Sequence, residues 1–173
     1  MITDRIKFKP GFAKEDSKTF ASGGVEVNGI DPDRLWRNLT NISAWPRYSE
    51  AIVDINFEDT GTNDPHLYDK AQFNYDLANG MHVVAQVIFF QHPKEDRPGR
   101  LAYQGTVFNA DGKCINEMVG EFLVGVPDGR REILELCAAV SAKEEAPDAD
   151  KRNFGDELLS FLDSLAAWSV KHD

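Results

Sequence analysis

"LWRNLTNISAWPRYSE", residues 35–50, gathers two tryptophans, a proline and a tyrosine into one short stretch. Its first half has helical spacing, with Leu35, Trp36, Leu39 and Ile42 on one stripe. Just upstream, Asp31 is a good N-cap, Pro32 suits the first helical position, and Asp33 favours a helix N-terminus. The helix is predicted to end near Thr40 or Asn41. Pro46 cannot extend it, because it lacks an amide hydrogen and pushes Trp45 out of the α region. A second short turn is expected over residues 42–49. Bulky aromatic side chains at a helix break need a surface to pack on, and the rest of the chain has to supply it.

On the N-terminal side, "KTFASGGVEVNGI" (18–30) reads as a strand with Val25 and Val27 on one side, its glycine pair allowing a bend or bulge. After residue 50 the period changes to two. Val53, Ile55 and Phe57 alternate with Asp54, Asn56 and Glu58, and Ala71, Phe73 and Tyr75 alternate with Lys70, Gln72 and Asn74. "ANG" is a tight-turn signal before the long apolar run "MHVVAQVIFFQ". There Met81, Val83, Ala85, Val87 and Phe89 form the all-apolar set expected inside, and His82 is expected outside. "RLAYQGTVFN" and "CINEMVGEFLVGV" follow, the latter pairing through "PDGR" with "REILELCAAVSA". These are consecutive antiparallel strands. After a charged loop (143–152), residues 153–172 form a strong helix. Asn153 is expected to cap it, and Leu158, Phe161, Leu162, Leu165, Trp168 and Ser169 share its apolar face.

The chain has 173 residues, 42% hydrophobic and 28% charged. That is enough for one domain with a sizeable core. Residues 1–17 are charged and aperiodic and read as an N-terminal arm. The net charge of −10 argues against nucleic acid and anionic membranes, which need cationic patches. No apolar run reaches the length of a membrane span, and the chain reads as a cytoplasmic protein. The two cysteines, Cys114 and Cys137, stand in no ligand cluster. A "PDGR" turn centred on residues 128–129 would set Cys137 opposite Gly120, so no cross-strand disulfide is expected.

The order is strand, two short helices, six strands and a long helix. Together with Asp31-Pro32-Asp33-Arg34-Leu35-Trp36, Trp45-Pro46-Arg47-Tyr48, Arg100-Leu101-Ala102-Tyr103 and the closing helix, it resembles the START-like (SRPBCC) superfamily of polyketide cyclase/dehydrase and Bet v 1-like proteins over about residues 18–171. The resemblance implies an α+β helix-grip fold: a curved antiparallel seven-stranded sheet around a long C-terminal helix, with residues 18–173 as a single ligand-binding domain. Trp36, Trp45 and Tyr48 would then wedge between sheet and long helix, closing one end of the core or lining a ligand mouth.

No catalytic or metal signature accompanies this order. The four histidines (His66, His82, His92, His172) lack ligand spacing, and the glycines do not make a dinucleotide fingerprint. No metal or cofactor is expected. Glu117 reads as a solvated outer-face acid. Tyr75, Tyr103, Asn116 and Ser169 are polar groups facing an apolar interior, with Tyr48 near a rim. Either they bond one another in a filled core, or they orient a guest in a cavity. The candidate binding set is Tyr48, Phe73, Tyr75, Ala85, Tyr103, Gly105, Asn116, Met118, Leu162 and Ser169. Small inner residues, Ala85, Gly105 and Gly120 among them, are expected to leave a void at the sheet centre. Three functions stay open: binding of a hydrophobic or amphipathic small molecule (lipid, polyketide or isoprenoid-like), a cyclase or dehydratase using Tyr103 or Tyr75 with Asn116, or a protein-interaction module. An oligomer is possible.

Overall fold

The structure, a computed structural model, describes residues 2–59, 63–127, 133–145 and 154–172. Strand β1 (Thr19–Val27) leads into helix α1 (Pro32–Thr40) and the four-residue helix α2 (Trp45–Tyr48). Strands β2 (Ile52–Phe57), β3 (Gln72–Leu77), β4 (His82–Gln91), β5 (Gly99–Phe108), β6 (Cys114–Gly125) and β7 (Leu134–Ala142) follow, then helix α3 (Phe154–Lys171). All seven strands form one antiparallel sheet in the order β1-β7-β6-β5-β4-β3-β2. This is the helix-grip arrangement. The 18 residues of α3 span roughly 27 Å at about 1.5 Å per residue, and Leu162 and Leu165 are fully buried from it.

The helix break is made at Asn41, five residues before Pro46. Trp45 stays helical (φ −53°, ψ −48°), and Pro46 merely opens α2. Asn41 turns the chain instead, with an extended backbone (φ −81°, ψ 92°) and a side chain that accepts from the Ser43 amide. Around it the loop closes, as Leu67 N–H donates to Thr40 O and Ile42 N–H to Pro65 O. The strand whose alternation was read from Lys70 therefore starts only at Gln72, after Lys70 in a left-handed turn (φ 65°). Asp31 caps α1 as expected, accepting from the Arg34 amide at 2.8 Å. Arg34 and Asn38 in turn donate to the His172 carbonyl at 3.1 and 3.0 Å. These cationic and amide donors satisfy the carbonyl end of α3.

Three register shifts redistribute the strand faces. One falls between Ile52 and Asp54, so Ile52 and Ile55 are buried while Val53 is 58% exposed. One falls between Val87 and Phe89, so Phe89 turns outward and Phe90 inward, against the expected alternation. The third falls between Val107 and Phe108. The ladder of β1 is unbroken, so Gly23-Gly24 is not a bulge. At Gly23 a Cβ would lie 2.6 Å from the Leu159 side chain, where α3 crosses the strand. The β6–β7 register pairs Leu123, not Gly120, with Cys137. Residues 128–132 of that connection, like Asn153 before α3, lie outside the described residues. Neither Cys114 nor Cys137 forms a disulfide among the described residues.

Residues 2–17 lie on the outer face of the sheet. Ile2 packs on Leu123 and Cys137, and its amide donates to Glu135 Oε2 at 2.8 Å. This cover leaves Glu121 and Glu135 only 4% and 5% exposed. Burial raises the pKa of Glu121 despite Arg100, whose Nε lies 3.6 Å from its carboxylate. Glu117, one turn of the pleat away, is exposed and paired with Lys143 at 2.8 Å as a surface acid. Its pKa is lowered by the hydrogen bond and charge of that lysine. His82 also faces outward, 2.6 Å from Asp76. Among the described residues no helix is long and apolar enough to cross a membrane.

Candidate functional site

Trp45 occupies the centre of the grip. It is 1% exposed, its indole N–H donates to Leu39 O at 2.9 Å, and its ring meets Phe73, Tyr75, Phe122 and Phe161 at centroid distances of 6.2, 6.4, 6.4 and 5.5 Å. Tyr48 continues the wedge between Phe161 and Trp168. Trp36 does not share that contact; it packs on Phe90 and His92 at the other end of the sheet. The α1 end and the centre are thus filled.

What remains is a cavity of about 460 Å³ at the opposite end, between the first half of α3 and the sheet. Leu158 and Phe161 wall it from the helix, and Ile52, Leu77, Met81 and Val83 from β2 to β4 and their turn. Val107, Ile115, Met118, Val140 and Ala142 close it from β5 to β7. Polar groups stand at Thr19, Ser49, Asn79 and Asn116, and two exposed carboxylates, Glu145 and Glu157, complete the wall.

Of the ten candidate residues, the structure brings Tyr75, Tyr103, Asn116 and Met118 together on this wall. The other six lie off it. Phe73 and Leu162 are fully buried in the filled core. Tyr48 has its hydroxyl buried without a hydrogen-bond partner among the described residues, and burial raises its pKa. The Ser169 hydroxyl is likewise buried and unpartnered among the described residues. Ala85 and Gly105 are paired across β4 and β5, but Val83 takes up their space: a Cβ on Gly105 would sit 2.9 Å from Val83 Cγ1. Gly120 is covered by its cross-strand neighbour Tyr103, whose ring lies 2.9 Å from where a Cβ would be. The void expected at the sheet centre is therefore displaced to the sheet end.

Asn116 is held by the backbone. Its Oδ1 accepts from the Glu144 and Glu117 amides at 2.9 Å each, and its Nδ2 donates to Glu144 O at 3.2 Å. It fastens the chain beyond β7 to β6 at the cavity rim. Tyr75 and Tyr103 are both 6% exposed, with hydroxyl oxygens 3.3 Å apart. Burial raises the pKa of both, and the charge and hydrogen bond of Tyr103 raise that of Tyr75 further, so both phenols are neutral donors near pH 7. Met81, Val83 and Phe161 were legible as inward-facing. Their membership of a cavity was not, because the alternation says which way a side chain points and not what it meets.

No family model matches the chain, and no curated protein matches it. Solved structures do. A hypothetical protein of Helicobacter pylori superposes with a TM-score of 0.77 at 23% identity, covering 95% of both chains. A START superfamily protein from Mycobacterium smegmatis matches at a TM-score of 0.59 and 14% identity over 88% of this chain and 97% of that one. The ginseng (Panax ginseng) major latex-like protein 151 matches at a TM-score of 0.59 and 10% identity over 87% and 97%. These likenesses establish the START-like, Bet v 1-like helix-grip fold.

Proposed function

We propose that this protein binds a hydrophobic or amphipathic small molecule, lipid, polyketide or isoprenoid-like, in the cavity between α3 and the sheet. The observation that carries this reading is the cavity itself: about 460 Å³, inside the range of roughly 300–1,000 Å³ usual for ligand sites, with apolar walls and few polar groups. An apolar wall of that kind accepts apolar guests because the guest's apolar surface leaves water and gains contacts with the lining. The shared fold supports the same reading, as does a structural neighbour described as a putative protein of the dynemicin biosynthetic locus, matched at a TM-score of 0.57 over 87% of this chain and 47% of that one. A pure protein-interaction role requires no such space.

The test is a fluorescence titration with Nile red, alongside native mass spectrometry of freshly purified protein for a co-purifying molecule. Ala142→Phe projects a ring from β7 into the cavity, and Val107→Trp fills it from β5. Wild type should bind the dye, and both variants should lose most of that binding with their melting transitions retained. Absence of dye binding to wild type, or equal binding to both filled variants, overturns the reading.

A further inference from the structure

The two phenols on the cavity wall have more protons than acceptors. Tyr75 and Tyr103 each carry one O–H, and only one proton can lie between their oxygens, 3.3 Å apart. The second has a single acceptor among the described residues, the Met118 thioether, 4.0 Å from Tyr75 Oη. A thioether at that distance is a weak acceptor. Both tyrosines line the cavity, so water standing there can take the second proton until a guest displaces it. A guest that leaves this donor unpaired costs free energy, and one that brings an acceptor replaces the displaced water's bond.

The kind of acceptor follows from the rest of the wall. Among the described residues no lysine, arginine or histidine lines the cavity, and its ionisable side chains besides the phenols are Glu145 and Glu157. An anionic head group would meet these two carboxylates and, among the described residues, no cationic partner, which is costly. A neutral carbonyl brings two lone pairs and no charge, and two neighbouring phenols can both reach such an oxygen or act in relay. Resting on the cavity reading above, we infer that the ligand carries a neutral carbonyl-type oxygen, as in a ketone, quinone, ester or lactone, seated on the Tyr75–Tyr103 phenol pair. Free carboxylates and plain hydrocarbons of the same body are the disfavoured classes.

The experiment compares two fluorescent probes of matched shape: the aminonaphthyl ketone prodan, and the same dimethylaminonaphthalene without its propionyl group. Each is titrated into wild type and into Tyr75→Phe/Tyr103→Phe, which removes two hydroxyls and leaves both rings. The preference for the ketone, taken as the ratio of the two dissociation constants, should fall roughly fivefold or more in the double variant, the worth of one net hydrogen bond. Affinity for the ketone-free probe should hold. Independently of any variant, the carbonyl stretching band of prodan bound to wild type should sit at the lower wavenumber of a hydrogen-bonded ketone. An unchanged preference, or a bound carbonyl band like that in a hydrocarbon solvent, overturns the inference while the cavity reading stands. If neither probe enters wild type, both fall together. If the double variant does not fold, the band on wild type decides.

Discussion

Replacing Trp45 by alanine tests the centre of the fold. The indole is 1% exposed and surrounded by Phe73, Tyr75, Phe122 and Phe161, so truncation leaves a hole whose neighbours are rigid rings that collapse poorly. Emptying such a site costs about 3–5 kcal/mol. The lost N–H also strands Leu39 O, near the C-terminal end of α1, where carbonyls have no partner in their own helix. That places the expected loss at the upper end of the range. For a chain of this size it corresponds to a fall in Tm of roughly 6–20 °C. Trp45→Phe separates the two contributions, since it keeps most of the apolar contact and deletes the donor; its cost should be about 1–3 kcal/mol. Urea unfolding followed by far-UV circular dichroism measures both. A loss below about 1 kcal/mol for Trp45→Ala, outside the range for a buried aromatic, would refute the wedge. A Trp45→Phe variant as stable as wild type would refute the role of the indole hydrogen bond.

Glu121→Gln should raise Tm at neutral pH. Burial raises the folded-state pKa of this carboxyl above its ordinary value of 4.5, so its ionised form is a burden on the native state above that folded pKa. The stability lost on ionisation is fully present below pH 4.5 and lost as pH rises through the folded value. The advantage of glutamine should accordingly shrink on acidification and vanish below pH 4.5. Calorimetry showing a variant less stable than wild type at neutral pH, or an advantage independent of pH, would contradict it. Asn116→Ala should cost about 0.5–1.5 kcal/mol, because the Glu144 and Glu117 amides and the Glu144 carbonyl exchange their partner for water at the strand end. If denaturant unfolding shows no change, the clamp is not structural and Asn116 serves only the cavity.

Local signals in the sequence carried the architecture. Asp31, Pro32 and Asp33 announced α1 by chemistry that acts within one turn, and the apolar stripe from Leu158 to Ser169 announced α3. The reading of β3 and β5 placed Phe73, Tyr75 and Tyr103 inside, where they are. It failed wherever one strand gained a residue against its neighbour. Beyond Val87 the parity of β4 inverts, and Phe89 and Phe90 exchange faces. A bulge is a property of two strands paired at a distance, and period two within one strand has no term for it. The burial of Glu121 and Glu135 was hidden for a similar reason, since the cover is Ile2 and its neighbours, more than a hundred residues away in sequence.

The location of the cavity was the least legible feature, and the reason is geometric. Small residues at the centre of a curved sheet suggest an opening only if nothing larger leans over them. Here Tyr103 lies across Gly120, Val83 covers Gly105, and Trp45 with Phe73 and Phe122 occupies what remains of the centre. Those glycines make room for a neighbour's ring or methyl and leave no space for a guest. At the far end the inner residues Val107, Val140 and Ala142 are of middling or small size, and among the described residues Tyr75, Tyr103 and Phe161 are the aromatic members of the lining. The aromatic cluster that makes the core rigid therefore also sets the inner limit of the cavity. Its last members, Tyr75 and Tyr103, form the boundary, since they belong to the buried core and also line the open space.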